Sequence, residues 1–228
     1  MHPFETLNPQ QRAAVEHGSG PLLISAGAGS GKTRVLTYRI AHLIQVQRVK
    51  PHHILAVTFT NKAAAEMKER VETVVGRDAR FVWVSTFHAT CVKILRQEAD
   101  RVGCSRQFQI FDTGDQKAVV RDCLKDLQLD PKKFEPRALL SEISRAKNLL
   151  QSAETYSDKA HDFWTKTAAK VYQKYQQRLD ANDAMDFDDL IQKTVKLWQD
   201  HQDVLARWQD RFRHILVDEY QDTNHAQY

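Results

Sequence analysis

The stretch Ala26-Gly27-Ala28-Gly29-Ser30-Gly31-Lys32-Thr33 constrains this chain more than any other. Small residues at this density let backbone N–H groups wrap a phosphate. Such a loop belongs between a buried strand and a helix whose positive end meets the same anion. The flanks fit that demand. Leu22-Leu23-Ile24-Ser25 is a short apolar run, expected as a buried strand. A helix is expected from about Gly31 to Gln45, with Val35, Leu36, Ile40, Leu43 and Ile44 on its core face. The loop departs from the strict phosphate-binding pattern only in having Ala26 at its first position. Lys32 is expected to bring a point charge to the outer phosphates, and the Thr33 hydroxyl to ligate magnesium.

The strand–helix rhythm continues. Ile54–Phe59 reads as a strand and Asn61–Val75 as a helix; Phe81–Ser85 reads as a strand and Phe87–Arg101 as a helix. Strands alternating with helices imply a parallel sheet covered by helices. Beyond residue 108 the pattern turns helical, near Thr113–Leu127, Pro136–Leu150, Ala160–Leu179, Phe187–Trp198 and Val204–Phe212. His214-Ile215-Leu216-Val217 then gives one more strand, ending in Asp218-Glu219. The expected fold class is α/β: a P-loop core with a parallel sheet, interrupted by an all-helical insertion. The expected division is a core over 1–108 and 184–228 with the insertion at 109–183. At the N-terminus, Asn8 is expected to cap a helix that begins at Pro9.

Asp218 and Glu219 supply what a P-loop needs at the end of another strand. Asp218 is expected to hold magnesium, through water, and Glu219 to accept a proton from an attacking water or to orient it. Phe59 ends a strand just before a helix. The pattern alone leaves it either a core residue or an aromatic face for an unpaired base. Asn61 and Lys62 can reach sugar and phosphate at that helix start. Thr86 and His88 fit a second strand-end contact, although a lone histidine at a helix start is more often a cap or a core residue. Asp186, Asp188 and Asp189 read as helix capping, and a metal site there is disfavoured. Lys132-Lys133 and the basic groups of Ser144-Arg145-Ala146-Lys147-Asn148 read as a solvated helical face.

Bulk features narrow the class. The chain has 228 residues, 42% of them hydrophobic, enough for a sizeable core. No apolar run is long enough to span a membrane. Three cysteines without a CxxC pair argue against a disulfide framework or a zinc site, and point to a cytosolic, reduced protein. Residues 1–108 hold fifteen Lys and Arg against eight Asp and Glu, a balance that suits a polyanionic partner.

Asp218-Glu219-Tyr220-Gln221-Asp222-Thr223-Asn224 resembles motif II of the UvrD/Rep/PcrA group of superfamily 1 DNA helicases. Other blocks match in order. Leu7-Asn8-Pro9-Gln10-Gln11 resembles the Q motif, and Gly29 to Arg34 resembles motif I. Thr58 to Ala64 resembles motif Ia. Ser85-Thr86-Phe87-His88 and Asp186-Phe187-Asp188-Asp189-Leu190 resemble two further blocks. The resemblance implies a RecA-like domain 1A with a helical domain 1B inserted. It implies ATP and Mg²⁺ as cofactors, with adenine read by Gln11 and the base packed by Arg34. Its expected partners are single-stranded DNA and single/double-strand junctions, with 3′-to-5′ movement and a DNA-contacting role for the insertion. Alternative readings are the motor of a RecB/AddA-like helicase-nuclease, or a non-catalytic nucleotide- and strand-binding module. Because the chain stops at Tyr228, before a second motor domain, the isolated piece is expected to turn over little ATP.

Overall fold

In the computed structural model the described residues are 3–27 and 29–228. Ala28, one of the expected phosphate-cradling residues, lies outside them. The chain-order elements are α1 (Pro9–Glu16), α2 (Lys32–Gln45), β1 (Ile54–Thr58), α3 (Asn61–Val75) and β2 (Trp83–Thr86). They continue with α4 (Phe87–Gln97), α5 (Ala99–Val102), β3 (Gln109–Ile110), α6 (Thr113–Asp126), α7 (Pro136–Asn148) and α8 (Ala153–Lys159). The last are α9 (Phe163–Ala181), β4 (Ala184–Met185), α10 (Phe187–Asp200), α11 (Gln202–Arg211) and β5 (His214–Val217). Two compact units emerge. One holds the residues up to Phe87 with Asp203–Asp222, and the other holds His88–Gln202 with Thr223–Tyr228. These units divide at other points than the sequence suggests, since α4 and α10 group with the second.

The first unit is built on a parallel sheet of order β2-β1-β5, with Leu55 opposite both Trp83 and Ile215. Every residue of the central strand β1 is buried. That is why it reads as an unbroken apolar run rather than an alternating one. Ile40, Leu43 and Ile44 of α2 and Met67 and Val71 of α3 pack with Ile54 and Ala56 to form the core. Trp83, Trp208 and Phe212 make an aromatic cluster of edge and tilted contacts, with ring centroids 5.2–6.2 Å apart.

The expected strand Leu22–Ser25 is not formed. A strand exists only by pairing its N–H and C=O groups, and this run has no ladder partner. Its side chains gain no burial either: Leu23 is 73% exposed. β5 lies at the sheet edge, with Ile215 61% exposed. Two smaller corrections follow from local geometry. Residues Gly76–Phe81 form a 3₁₀ turn, so β2 starts at Trp83. Residues Ala160–Asp162 precede α9, and the short helix α8, capped by the Ser152 hydroxyl, was not anticipated.

The second unit is helical apart from the two-residue parallel pair β3–β4, Gln109 with Ala184 and Ile110 with Met185. Val120 and Leu124 of α6, Leu139 and Ile143 of α7, and Tyr172, Tyr175 and Leu179 of α9 form its main core. A separate cluster joins Leu95, Phe108, Met185 and Leu190. Inside this unit lies a buried charge network. Lys147, with no exposed surface, places Nζ 2.8 Å from Asp186 Oδ2 and 2.8 Å from Asp189 Oδ1. The Tyr175 hydroxyl donates to Asp186 Oδ2 at 2.9 Å. Asp186 also caps α10, accepting from the Asp189 N–H at 2.8 Å, while Asp189 accepts from the Asp186 N–H at 3.1 Å. The capping expectation for these aspartates agrees with the geometry. The solvated-face reading fails for Lys147, which turns inward toward two carboxylates.

Candidate nucleotide and strand site

The site begins with a helix cap. Asn8 Oδ1 accepts from the Gln11 N–H at 2.8 Å, and Gln11 Oε1 accepts from the Asn8 N–H at 3.1 Å. This reciprocal box fixes the Gln11 side chain. Its Nε2 then donates to the Ser30 carbonyl at 3.0 Å, which brings the amide against the glycine-rich loop. Gly31 has φ +88°, and a Cβ there would sit 3.0 Å from Gln11 Nε2. The backbone conformation favours glycine, and a side chain there would also press on the Gln11 amide.

Ser30 Oγ donates to the Gly27 carbonyl at 2.6 Å, and Lys32 Nζ donates to the Ala26 carbonyl at 3.0 Å. Gly31, the residue that caps α2, offers no side-chain acceptor, so the first N–H groups of this helix remain available to an anion. Gly29 also holds a positive φ, +75°. Arg34 donates to the Thr6 hydroxyl at 2.6 Å and lies 5.4 Å from the Tyr38 ring.

Thr33 follows Lys32 in α2, and its side chain lies close enough to Asp218 to favour the charged carboxylate. The Asp218 N–H donates to the Val57 carbonyl at 2.9 Å, extending the β1–β5 ladder by one step. Asp218 is only 8% exposed, and its carboxyl pKa is raised, by burial first and then by the charge of Glu219. Thr33 and Lys32 oppose that rise. A hydroxyl and a carboxylate are hard oxygen donors of the kind a divalent cation takes, so Thr33 and Asp218 could hold one, with water filling its other positions. Among the described residues no group of three His, Cys, Asp or Glu is placed to hold a metal. A magnesium ion that keeps several waters is held by one or two carboxylates and does not need such a group. Glu219 adopts φ +50°, uncommon outside glycine, and its carboxylate accepts from the Gln221 amide.

Thr33, Asp218, Glu219 and Asp222 share a cleft of about 330 Å³ with Thr58, Phe59, Thr60, Ala63, Glu66 and Arg70. It lies at the C-terminal ends of β1 and β5, where α/β sheets bind their ligands. Of the expected nucleotide residues, Thr33, Asp218 and Glu219 border this cavity together with the expected strand-stacking residue Phe59; Gln11, Lys32 and Arg34 are not among the residues that line it. Phe59 is partly buried, with its ring 5.4 Å from that of Phe87. Thr60 caps α3 through the Ala63 N–H at 3.1 Å, leaving Asn61 and Lys62 exposed on the first turn. Thr86 is buried at the end of β2.

His88 groups with the second unit, where its ring meets Phe187 edge to face at 5.8 Å. Burial lowers its pKa, against the opposing charge of Asp188. Phe187, 46% exposed at the first position of α10, was missed in the sequence. The signal was available, since a large aromatic at an otherwise acidic helix start is unusual. Arg70, 3.8 Å from Glu66, was also missed. Residues 63, 66 and 70 share one face of α3, which the helical period would have shown.

Residues 7–228 match the UvrD/REP helicase N-terminal domain. The chain belongs to this family. Its P-loop α/β core with a parallel sheet is therefore a RecA-like fold. It is 52% identical to the ATP-dependent DNA helicase PcrA of Staphylococcus epidermidis over 224 residues, 98% of this chain and 31% of that protein. Against PcrA of Bacillus subtilis (strain 168) the identity is 54% over 222 residues, 97% of this chain and 30% of the relative. This UvrD/REP-type chain thus spans under a third of the length of the relatives it matches. No helix among its described residues is long and apolar enough to cross a membrane.

Proposed function

We propose that this chain forms the ATP- and Mg²⁺-binding part of a DNA helicase that moves 3′-to-5′ on single-stranded DNA and engages single/double-strand junctions. The observation that carries the reading is the cleft in which Thr33, Asp218 and Glu219 face Phe59. In this reading Ala26 to Thr33 cradle the phosphates, Gln11 reads the adenine and Arg34 packs on the base. Mg²⁺ held at Thr33 and Asp218 would neutralise charge on the outer phosphates. Glu219, exposed beside Asp218, orients the attacking water and takes its proton. Phe59 stacks on an unpaired base while Asn61, Lys62 and Thr86 hold the strand. In the second unit His88, with the exposed Phe187 ring against it, offers a strand contact of its own. The domain reading, a core over 1–108 and 184–228 around an insertion at 109–183, is supported by β3 pairing with β4 where the two meet. It is also supported by the insertion's own core. The PcrA relatives are named as DNA helicases, which favours this reading over a helicase-nuclease motor.

Two variants test the site. Lys32→Ala removes a charge-assisted contact worth roughly 1.5–3 kcal/mol, so MgATP affinity measured by calorimetry should fall at least about tenfold. Equal affinities would sink the nucleotide assignment. Phe59→Ala should weaken single-strand binding by roughly 1–3 kcal/mol and leave MgATP binding in the absence of DNA intact. Loss of the folded state in this variant would show Phe59 to be a core residue instead.

A further inference from the structure

The strands of the first unit's sheet run parallel, so their N-terminal ends share one pole, opposite the cleft. The segments leading into them, residues 47–53, 76–82 and 209–213, carry six Lys or Arg against two Asp, with His52 and His53 besides. That excess equals the net charge of the whole chain, +4. Lys50, Arg77, Arg80 and Arg211 are exposed, and none of the four forms an ion pair among the described residues. Arg213 is paired with Asp210.

The three segments are joined, since residues 51–53 pack against residues 76–81 as well as reaching Arg211. His53 Nδ1 lies 3.1 Å from the Arg211 carbonyl, and the His52 and His53 rings are 4.4 Å apart. The His52 pKa is lowered, by desolvation first and then by His53, Lys50, Arg211 and Arg213, so these groups share one positive field. A hollow of about 320 Å³ opens between Glu72, Gly76, Arg77 and Arg80. Beside it the Arg80 guanidinium sits 4.6 Å from the ring of Phe81, which is 53% exposed.

Cations without carboxylate partners, next to an exposed aromatic ring, match the two halves of a nucleic-acid strand. Guanidinium groups take phosphates, and a ring backed by arginine takes a base face. An acidic protein segment would use the charges and leave the ring without a partner. We propose that this basic pole is a second nucleic-acid surface, taking a strand's phosphates at Arg77, Arg80 and Arg211 and an unpaired base on Phe81. It operates independently of the cleft.

The test uses the full chain carrying Phe59→Ala, so that strand binding at the cleft is already weakened. A labelled oligothymidylate and a labelled duplex are titrated by fluorescence anisotropy over a range of salt. The Phe59→Ala chain should still bind both. Adding Arg77→Glu, Arg80→Glu and Arg211→Glu should lower affinity about tenfold or more and flatten the log K against log salt slope by about two to three. MgATP affinity should not change. Phe81→Ala should weaken the single strand and spare the duplex. If charge reversal unfolds the protein, the single neutral variants Arg80→Gln and Arg211→Gln should each flatten the slope by about one. Unchanged affinity and slope would overturn the proposal. So would polyglutamate binding as tightly as DNA with the same loss on charge reversal, which would assign the pole to an acidic protein.

Discussion

Lys147→Met is expected to destabilise the second unit severely. Lys147 is fully buried, and its Nζ lies 2.8 Å from a carboxylate oxygen of both Asp186 and Asp189. Methionine fills most of the same space, so the loss is one of charge rather than packing. It would leave two buried carboxylates facing each other with no cation. Breaking a buried pair in this way costs about 3–5 kcal/mol, against a typical domain stability of about 5–15. Urea denaturation should show a midpoint lowered by a large fraction of its wild-type value. Adding Asp186→Asn and Asp189→Asn to Lys147→Met should restore much of it, because the uncompensated charges are then gone. A midpoint within experimental error of wild type would show that water reaches the network.

The same network sets a pH dependence. Burial opposes ionisation of Asp186, but Lys147 and its hydrogen bonds bring the pKa below the ordinary carboxylate value. A depressed carboxyl pKa gives stability that is present above the unfolded-state pKa, about 3.9, and lost as pH falls through the folded value. Asp189, raised by burial despite Lys147, works in the opposite sense. The stability that Asp186 contributes should therefore fall away as pH drops below about 3.9 and be gone once Asp186 itself titrates, below the ordinary Asp range.

Phosphate release by this chain alone is expected to be far slower than by a complete motor, by a factor on the order of 10³–10⁵. Charge develops on all sides of a transferred phosphoryl group. Lys32 and a magnesium at Thr33 and Asp218 meet it from the loop side only. Arg34 is engaged with Thr6, and Arg70 on the cleft wall faces Glu66. Arg34 is held by that bond, and the charge of Arg70 is offset by Glu66 beside it on the same helix, so neither supplies the uncompensated cation that the far side needs. Glu219 can still orient water, so a trace of hydrolysis is expected, with little stimulation by DNA. The measurement is phosphate release with and without excess single strand. Strong DNA-stimulated turnover, lost in Glu219→Gln, would show that the chain supplies its own far side, for instance by pairing with a second copy.

What could be read from sequence alone tracks how local the determining physics is. The Asn8 cap, the loop with its glycines, and the start of α2 depend on neighbours a few residues away, and all were legible. Thr33, Asp218 and Glu219 could be named because each follows a fixed local signature, and they do border one cleft. Leu22–Ser25 misled because a strand needs a partner that its own residues cannot specify. Lys147 misled for a related reason. Within Ser144-Arg145-Ala146-Lys147-Asn148 it looks like any surface lysine, and the aspartates that draw it inward lie thirty-nine and forty-two residues away. Phe59 stayed ambiguous because core and stacking surfaces ask for the same residue, and partial burial in a cleft wall satisfies both descriptions.

The bare flank of β5 has a consequence for how the molecule behaves in a tube. Its outer row of amides and carbonyls is unclaimed by any strand among the described residues, and Ile215 stands proud of it. Leu22, Leu23 and Ile24 present a second greasy stretch to solvent, fenced by Pro21 on one side and the glycines on the other. A raw sheet margin of this kind templates whatever extended peptide it meets, and at high concentration that is another molecule of the same kind. Shelf life, crowding and the choice of where to trim or tether the chain are therefore governed by this margin. The well-packed helices and the cleft have little say in them.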